Sequence, residues 1–343
     1  MITKGIVGRL TKQLVEEAHP TVDSTCCINE IQQKKHCGLC KAACHVSTLD
    51  KITHPDFTLC DNCGICVAHC PAPVFTNSPS LTQKLMTLVE HTNQTIVLSC
   101  HHNEKEADCK LSCLAAYPWE VLACLAISNN LISFLPGACD SCSHKNQILL
   151  FERSLSQLQS FLGEEAYKTI FSENKKPQLQ SRREAFSSIF RQGGRSALNL
   201  LPEELRSSPD KNLWRKILLH RLASQNPRNH TAHWITPLIQ EDCKACGICE
   251  KLCPNKALRI VSGEDKRFYL THFSWKCQGC GICAVACPWH CITEFGRVAM
   301  EPAHRPLVTK TKARVCSHCS NPAFGELELC IECSIKQREG NLK

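Results

Sequence analysis

Apolar and polar positions alternate most legibly in the middle of the chain. "TIVLSC" (95–100) is a short apolar run of strand length ending in Cys100, which predicts a buried strand. "LAAYPWEVLACLAIS" (114–128) is apolar on nearly every side and too long for a strand, so it predicts a helix with Cys124 in the core. "LISFLPGAC" (131–139) predicts a second strand, and "NQILLFERSLSQLQSFL" (146–162) sets Phe151, Leu155, Leu158 and Leu162 on one helical face. Strand, helix, strand, helix implies a small parallel-sheet α/β lobe over residues 91–173.

A polar stretch follows, from 174 to 237. In "SRREAFSSIFRQGG", Ser181 is an N-cap, Glu184 completes a capping box, Phe186 and Phe190 share a face, and Gly193–Gly194 ends the helix. "KNLWRKILLHRL" has Trp214, Ile217 and Leu218 on one side and Arg215, Lys216, His220 and Arg221 elsewhere. Such a basic amphipathic helix packs its apolar stripe on its own protein, with a partner or a membrane surface as the alternative. Residues 174–237 therefore read as a helical polar connector.

Composition changes the picture. The chain has 343 residues, enough for two or three domains, and 28 Cys against three Tyr and three Met. Disulfide frameworks belong mostly to short secreted chains. The start, "MITKGIVGRLTKQLVEEAHP", has no continuous apolar core of a signal peptide, and no stretch approaches the roughly 18 uncharged apolar residues of a membrane span. Clustered thiols in a reducing cytoplasm are chiefly metal ligands, so a cytoplasmic protein that is not integral to a membrane is expected.

The cysteines repeat. "CQGCGICAVACP" spans Cys277, Cys280, Cys283 and Cys287; "CKACGICEKLCP" spans Cys243, Cys246, Cys249 and Cys253; "CDNCGICVAHCP" spans Cys60, Cys63, Cys66 and Cys70. Each has Gly after its second Cys and Pro after its fourth. A partial copy, "CGLCKAACH", supplies Cys37, Cys40 and Cys44, with Gly38 in the matching place, Lys34 where the first Cys would fall, and His45 for the proline. Two full runs in tandem at this spacing argue against a pair of zinc sites, which join two short knuckles instead.

These runs resemble the bacterial ferredoxin signature C-x2-C-x2-C-x3-C-P, which binds [4Fe–4S] clusters and sends its fourth Cys to the neighbouring cluster. The resemblance implies four centres. Cys243, Cys246, Cys249 and Cys287 would hold one, and Cys277, Cys280, Cys283 and Cys253 the next. Cys60, Cys63, Cys66 and Cys44 would hold a third. The fourth would use Cys37, Cys40 and Cys70 with Cys27 as the missing ligand and Cys26 as its alternative. The residues involved outline ferredoxin-like dicluster modules over 1–90 and 238–305.

The middle lobe is similar to the iron–sulfur delta subunits of methyl-viologen-reducing hydrogenases, a likeness of topology over residues 95–160. If it applies, Cys100, Cys113, Cys139 and Cys142 hold a further centre such as [2Fe–2S]; otherwise they are reduced, partly buried thiols. In the tail (306–343), Cys316, Cys319, Cys330 and Cys333 form two C-x2-C knuckles resembling a zinc ribbon, with zinc or iron as the metal.

The formal charge of +8 invites a nucleic-acid reading, but a [4Fe–4S] core with four thiolates carries about −2, so four of them offset the excess. No basic stripe is interleaved with aromatics, and no glycine-rich phosphate loop is present. His69, His290, His101 and His102 read as exposed imidazoles or as neighbours that tune a centre. The fold class expected is α+β: two ferredoxin-like modules flanking an α/β lobe, with a ribbon-like tail. The function expected is that of a polyferredoxin-type electron-transfer subunit, not itself catalytic. A molybdenum enzyme, hydrogenase or flavoprotein would be its partner, a role implied by the resemblance. The rival class is a redox enzyme whose middle lobe binds a flavin or forms a thiol-redox site, with the clusters as its wire.

Overall fold

A computed structural model describes residues 19–32, 37–46, 49, 52–171, 213–224, 233–299, 307–323 and 329–340. The helix predicted from Ser181 to Gly194 lies outside the described residues. The chain divides into two compact units, Met1–Cys27 with Lys35–Thr231 and Ile28–Lys34 with Ala232–Lys343.

In the first unit, β1 (Thr21–Val22) and β2 (Phe75–Thr76) pair antiparallel and enclose two one-turn helices, α1 (Leu39–Ala43) and α2 (Ile65–His69). Helix α3 (Pro79–Val89) starts where Ser78 Oγ accepts the Leu81 N–H and Pro79 stands at the first turn, where its missing N–H is harmless. The lobe follows, with β3 (Thr95–Cys100), β4 (Cys109–Leu111) and β5 (Leu131–Leu135) forming a parallel sheet in the order β4–β3–β5. Strand β4 was not foreseen: "CKL" is three residues long and has no periodicity to read. Helix α4 (Trp119–Ile127) is buried at all nine positions, as its all-round apolarity requires. On α5 (Ile148–Leu162), Phe151, Leu158 and Leu162 are buried while Leu155 is half-buried, and α6 (Glu164–Ile170) follows directly.

Helix α7 (Leu213–Ser224) lies against α4, with Leu218 fully buried. Its basic residues are not all turned to water. Arg215 is buried, 3.3 Å from Glu120 Oε1, with its guanidinium 4.8 Å from the centre of the Trp119 ring. Arg221 hydrogen-bonds Ser128 Oγ and the Val89 carbonyl.

The second unit pairs β6 (His233–Ile239) with β9 (Ile292–Ala299) antiparallel. Between them lie α8 (Ile248–Leu252), the hairpin β7 (Leu258–Ser262)–β8 (Arg267–His272), and α9 (Ile282–Val285). Strand β10 (Leu307–Val315), at the start of the segment read as a tail, hydrogen-bonds along β8 and carries β11 (Pro322–Ala323), giving a four-stranded antiparallel sheet β11–β10–β8–β7; α10 (Ile331–Arg338) closes the described chain. The core around Leu258, Leu270 and Ile292 is completed by Cys243, Cys249, Cys283 and Cys291. Thiols stand where a larger domain would place aliphatic side chains.

Candidate metal centres

Each full cysteine run bends the same way. Gly64, Gly247 and Gly281 sit at φ of +76°, +81° and +78° and cap the short helices α2, α8 and α9. That left-handed conformation is open to glycine at little cost, and it turns the loop so that its first three thiols face inward. Gly38 departs from the pattern. Its φ is −118°, so the partial run "CGLCKAACH" lacks the turn that its alignment suggested.

In the second unit, Cys243, Cys246, Cys249 and Cys287 line one pocket of about 350 Å³ together with Ile260 and Leu270. Cys287 thus stands with the other run, away from its own loop. Cys283 lies within electrostatic reach of Cys277, Cys280, Cys249 and Cys253. Burial, reinforced by Cys243, Cys246 and Cys287, pushes the Cys249 thiol up to about 12. Backbone N–H groups aim at sulfur from Ala257 to Cys253 at 3.2 Å, from Gly279 to Cys277 at 3.4 Å, and from Cys291 to Cys287 at 3.4 Å.

The first unit repeats this. Cys44, Cys60, Cys63 and Cys66 line a pocket of about 350 Å³. Cys40 lies within electrostatic reach of Cys37 and Cys27, and Cys70 of Cys40 and Cys37. Cys26 points elsewhere, with Sγ 3.8 Å from Asp23 Oδ2. Burial pushes Cys63 and Cys70 up to about 12.

Cys100, Cys113, Cys139 and Cys142 line a pocket of about 420 Å³ in the lobe. Cys100 ends β3, at the carboxyl edge of the parallel sheet where ligands of open α/β sheets gather. The Gly137 N–H donates to Cys100 Sγ at 3.2 Å and the His144 N–H to Cys142 Sγ at 3.3 Å. Cys109 is buried apart from them, and Cys124 is wholly enclosed in α4.

In the tail, Cys316, Cys319, Cys330 and Cys333 place their sulfurs within 4.8 Å of one another. Cys319 Sγ is 3.5 Å from Cys330 Sγ and 3.6 Å from Cys333 Sγ. Four thiolates about 2.3 Å from one zinc ion stand roughly 3.8 Å apart, so this spacing suits a single tetrahedral ion. Among the described residues, this is the all-cysteine group drawn so close. Burial opposes ionisation of Cys316, but N–H groups of Cys330, His318 and Cys319 outweigh it and bring the thiol down to about 6.

Cys316 apart, the shifted thiols of these groups are raised. Buried thiols packed side by side resist ionisation, because each thiolate would be desolvated and repelled by the next. A soft cation reverses that balance and deprotonates its ligands outright. The groups therefore fit iron–sulfur centres or, in the tail, one ion.

The histidines divide. His101, His102 and His290 are exposed, whereas His69 is buried with Nε2 2.9 Å from the Ala115 carbonyl oxygen. Burial lowers its pKa to about 4, so it is a neutral tie between α2 and the lobe. Two further histidines, His45 and His144, stand at the site. In sequence His45 only stands where the full runs have proline, and the signal for His144 is the Cys-x-His pair Cys142-Ser143-His144. Both flank Asp61. Burial would raise that carboxyl, but His144 and His45 beside it outweigh the effect and hold it down at about 2.

Residues 242–291 match the family model described as a 4Fe-4S dicluster domain. The matched segment contains both C-terminal runs and the hairpin between them, and iron–sulfur binding and electron transfer accord with it. No curated protein and no solved structure matches the chain. No helix among the described residues is long and apolar enough to cross a membrane.

Proposed function

We propose that the chain is a multi-centre iron–sulfur protein that passes single electrons to or from a partner oxidoreductase. The observation that carries this reading is the repetition of one device: separate pockets of similar size, each lined by four or five cysteines drawn from more than one stretch of the chain. Cys243, Cys246, Cys249 and Cys287 hold one [4Fe–4S] centre, and Cys277, Cys280, Cys283 and Cys253 its neighbour. Cys44, Cys60, Cys63 and Cys66 hold a third; Cys37, Cys40, Cys70 and Cys27 a fourth. The nearness of Cys27 to Cys40, with Cys26 turned to Asp23, favours Cys27 as the completing ligand. Cys100, Cys113, Cys139 and Cys142 hold a further centre in the lobe, in keeping with its likeness to the hydrogenase delta subunits. The N–H···S bonds are the means by which the protein sets each potential. The tail, with sulfurs at single-ion spacing, takes zinc and stabilises the end of the β11–β10–β8–β7 sheet.

The substrate chemistry belongs to the partner: a molybdenum enzyme, a hydrogenase or a flavoprotein. Iron, acid-labile sulfide and zinc measured on anaerobically purified chain test the reading. About sixteen irons in four cubanes, with more from the lobe and one zinc, are expected. Zinc without iron overturns it, and flavin absorption with turnover in the absence of any partner replaces it with the enzyme reading.

A further inference from the structure

Between the Cys44/Cys60/Cys63/Cys66 group and the Cys100/Cys113/Cys139/Cys142 group lies a polar bridge that the functional reading leaves unused. Asp61 sits between Cys60 and Cys63, and its Oδ1 accepts the Cys63 N–H at 3.2 Å. Its Oδ2 is 3.6 Å from His45 Nε2 and 3.5 Å from His144 Nε2. His45 directly follows Cys44, and the two imidazole centres are 4.0 Å apart. On the far side, His144 lines the lobe pocket and donates its backbone N–H to Cys142 Sγ. One path of short contacts thus runs from the backbone of Cys63 through a carboxylate and an imidazole to Cys142.

This junction is expensive for a merely structural one. His45 Nδ1 is buried without a hydrogen-bond partner, and a buried polar atom left in that state disfavours the folded chain. Apolar side chains would seal the same gap without that penalty. Two other contacts hold the spacing beside it: His69 Nε2 to the Ala115 carbonyl at 2.9 Å, and Gln147 Nε2 donating to the Ala42 carbonyl at 3.2 Å.

We propose that His45, Asp61 and His144 are positioning residues that couple the N-terminal centre at Cys44, Cys60, Cys63 and Cys66 to the lobe centre, making the first unit one continuous relay. The inference rests on reading both cysteine groups as iron–sulfur centres. In the exchange, one electron leaves the N-terminal centre, which is oxidised, and enters the lobe centre, which is reduced. No bond forms or breaks and no atom is transferred.

The test uses the full chain, purified anaerobically and given sub-stoichiometric dithionite, with freeze-quench paramagnetic resonance following both centres and iron and sulfide assayed on each sample. Wild type should show spin–spin broadening between the two centres when both are reduced. Asp61→Asn and His144→Gln, which retain size and backbone donors, should keep their iron yet lose exchange rate relative to wild type. Unchanged exchange in both variants with both centres loaded overturns the bridge. Because the broadening is read on wild type, its absence overturns the bridge whatever the variants do. A wild-type lobe without iron overturns the underlying reading as well, which separates the two failures.

Discussion

Removing the Cys287 thiol discriminates between two ways of building the second unit. In sequence, Cys287 belongs to the run that begins at Cys277; in space, it lines the pocket of Cys243, Cys246 and Cys249. Loss of one ligand from a cubane site removes about four irons whichever centre is affected, so the single variant Cys287→Ala is silent on the question. The double variants are not silent. If the ligands cross, Cys287→Ala with Cys246→Ala strikes one centre twice, and the combined loss stays at about four irons. Cys287→Ala with Cys280→Ala then strikes both centres, and the loss doubles to about eight. Iron and acid-labile sulfide assayed on anaerobically purified full-length chain read this directly, with the visible absorption of the clusters as a second measure. Cys253→Ala paired with the same partners should give the mirror pattern, since Cys253 lies within electrostatic reach of Cys283. The reverse result, additive loss with Cys246→Ala and none beyond the single variant with Cys280→Ala, would refute the crossing and with it the packing of the two runs as one dicluster core.

Three further outcomes are expected. Arg215→Met removes the buried ion pair with Glu120 of α4 and should lower stability by about 3–5 kcal/mol in denaturant titration, with most of the loss recovered by adding Glu120→Leu; a loss under about 1 kcal/mol would mean that the pair contributes no more than an exposed one. Gly64→Ala should cost more than Gly281→Ala in thermal stability of the holoprotein. Both incur about 1–2 kcal/mol for a left-handed residue with a Cβ, but only at Gly64 would that atom meet Leu81 Cδ2, at 2.5 Å. Burial lowers His272 to about 4 from 6.5, next to Thr236 Oγ1 at 2.9 Å. The unfolded chain therefore takes up its proton first: the contribution is whole above pH 6.5 and is lost as pH falls towards 4, up to about 3 kcal/mol. His272→Asn should flatten that part of the stability–pH curve relative to wild type; identical slopes would show that the imidazole is solvated.

Some of this molecule was legible before any coordinates. Spacing and the glycine after each second cysteine were enough to single out the three complete runs, because those constraints act within a few residues. The parallel strands β3 and β5 and the helices α4 and α5 were readable for a similar reason, since each carries its burial pattern in its own side chains. What tertiary structure decided is what depends on pairing at a distance. Strand β4 exists only because β3 offers it a ladder, and β10 falls within the segment that reads as a ribbon-like tail although its partner β8 precedes it by about forty residues. Arg215 stands off the apolar stripe of its helix, and its counter-charge comes from Glu120, 95 positions away. His144 meets Asp61 and His45 because the lobe folds back against the first cysteine module, and no local periodicity encodes such a meeting. Short-range chemistry is written along the chain, whereas the choice of a distant partner emerges only once burial has made an unpaired charge, thiol or strand edge too costly to leave alone.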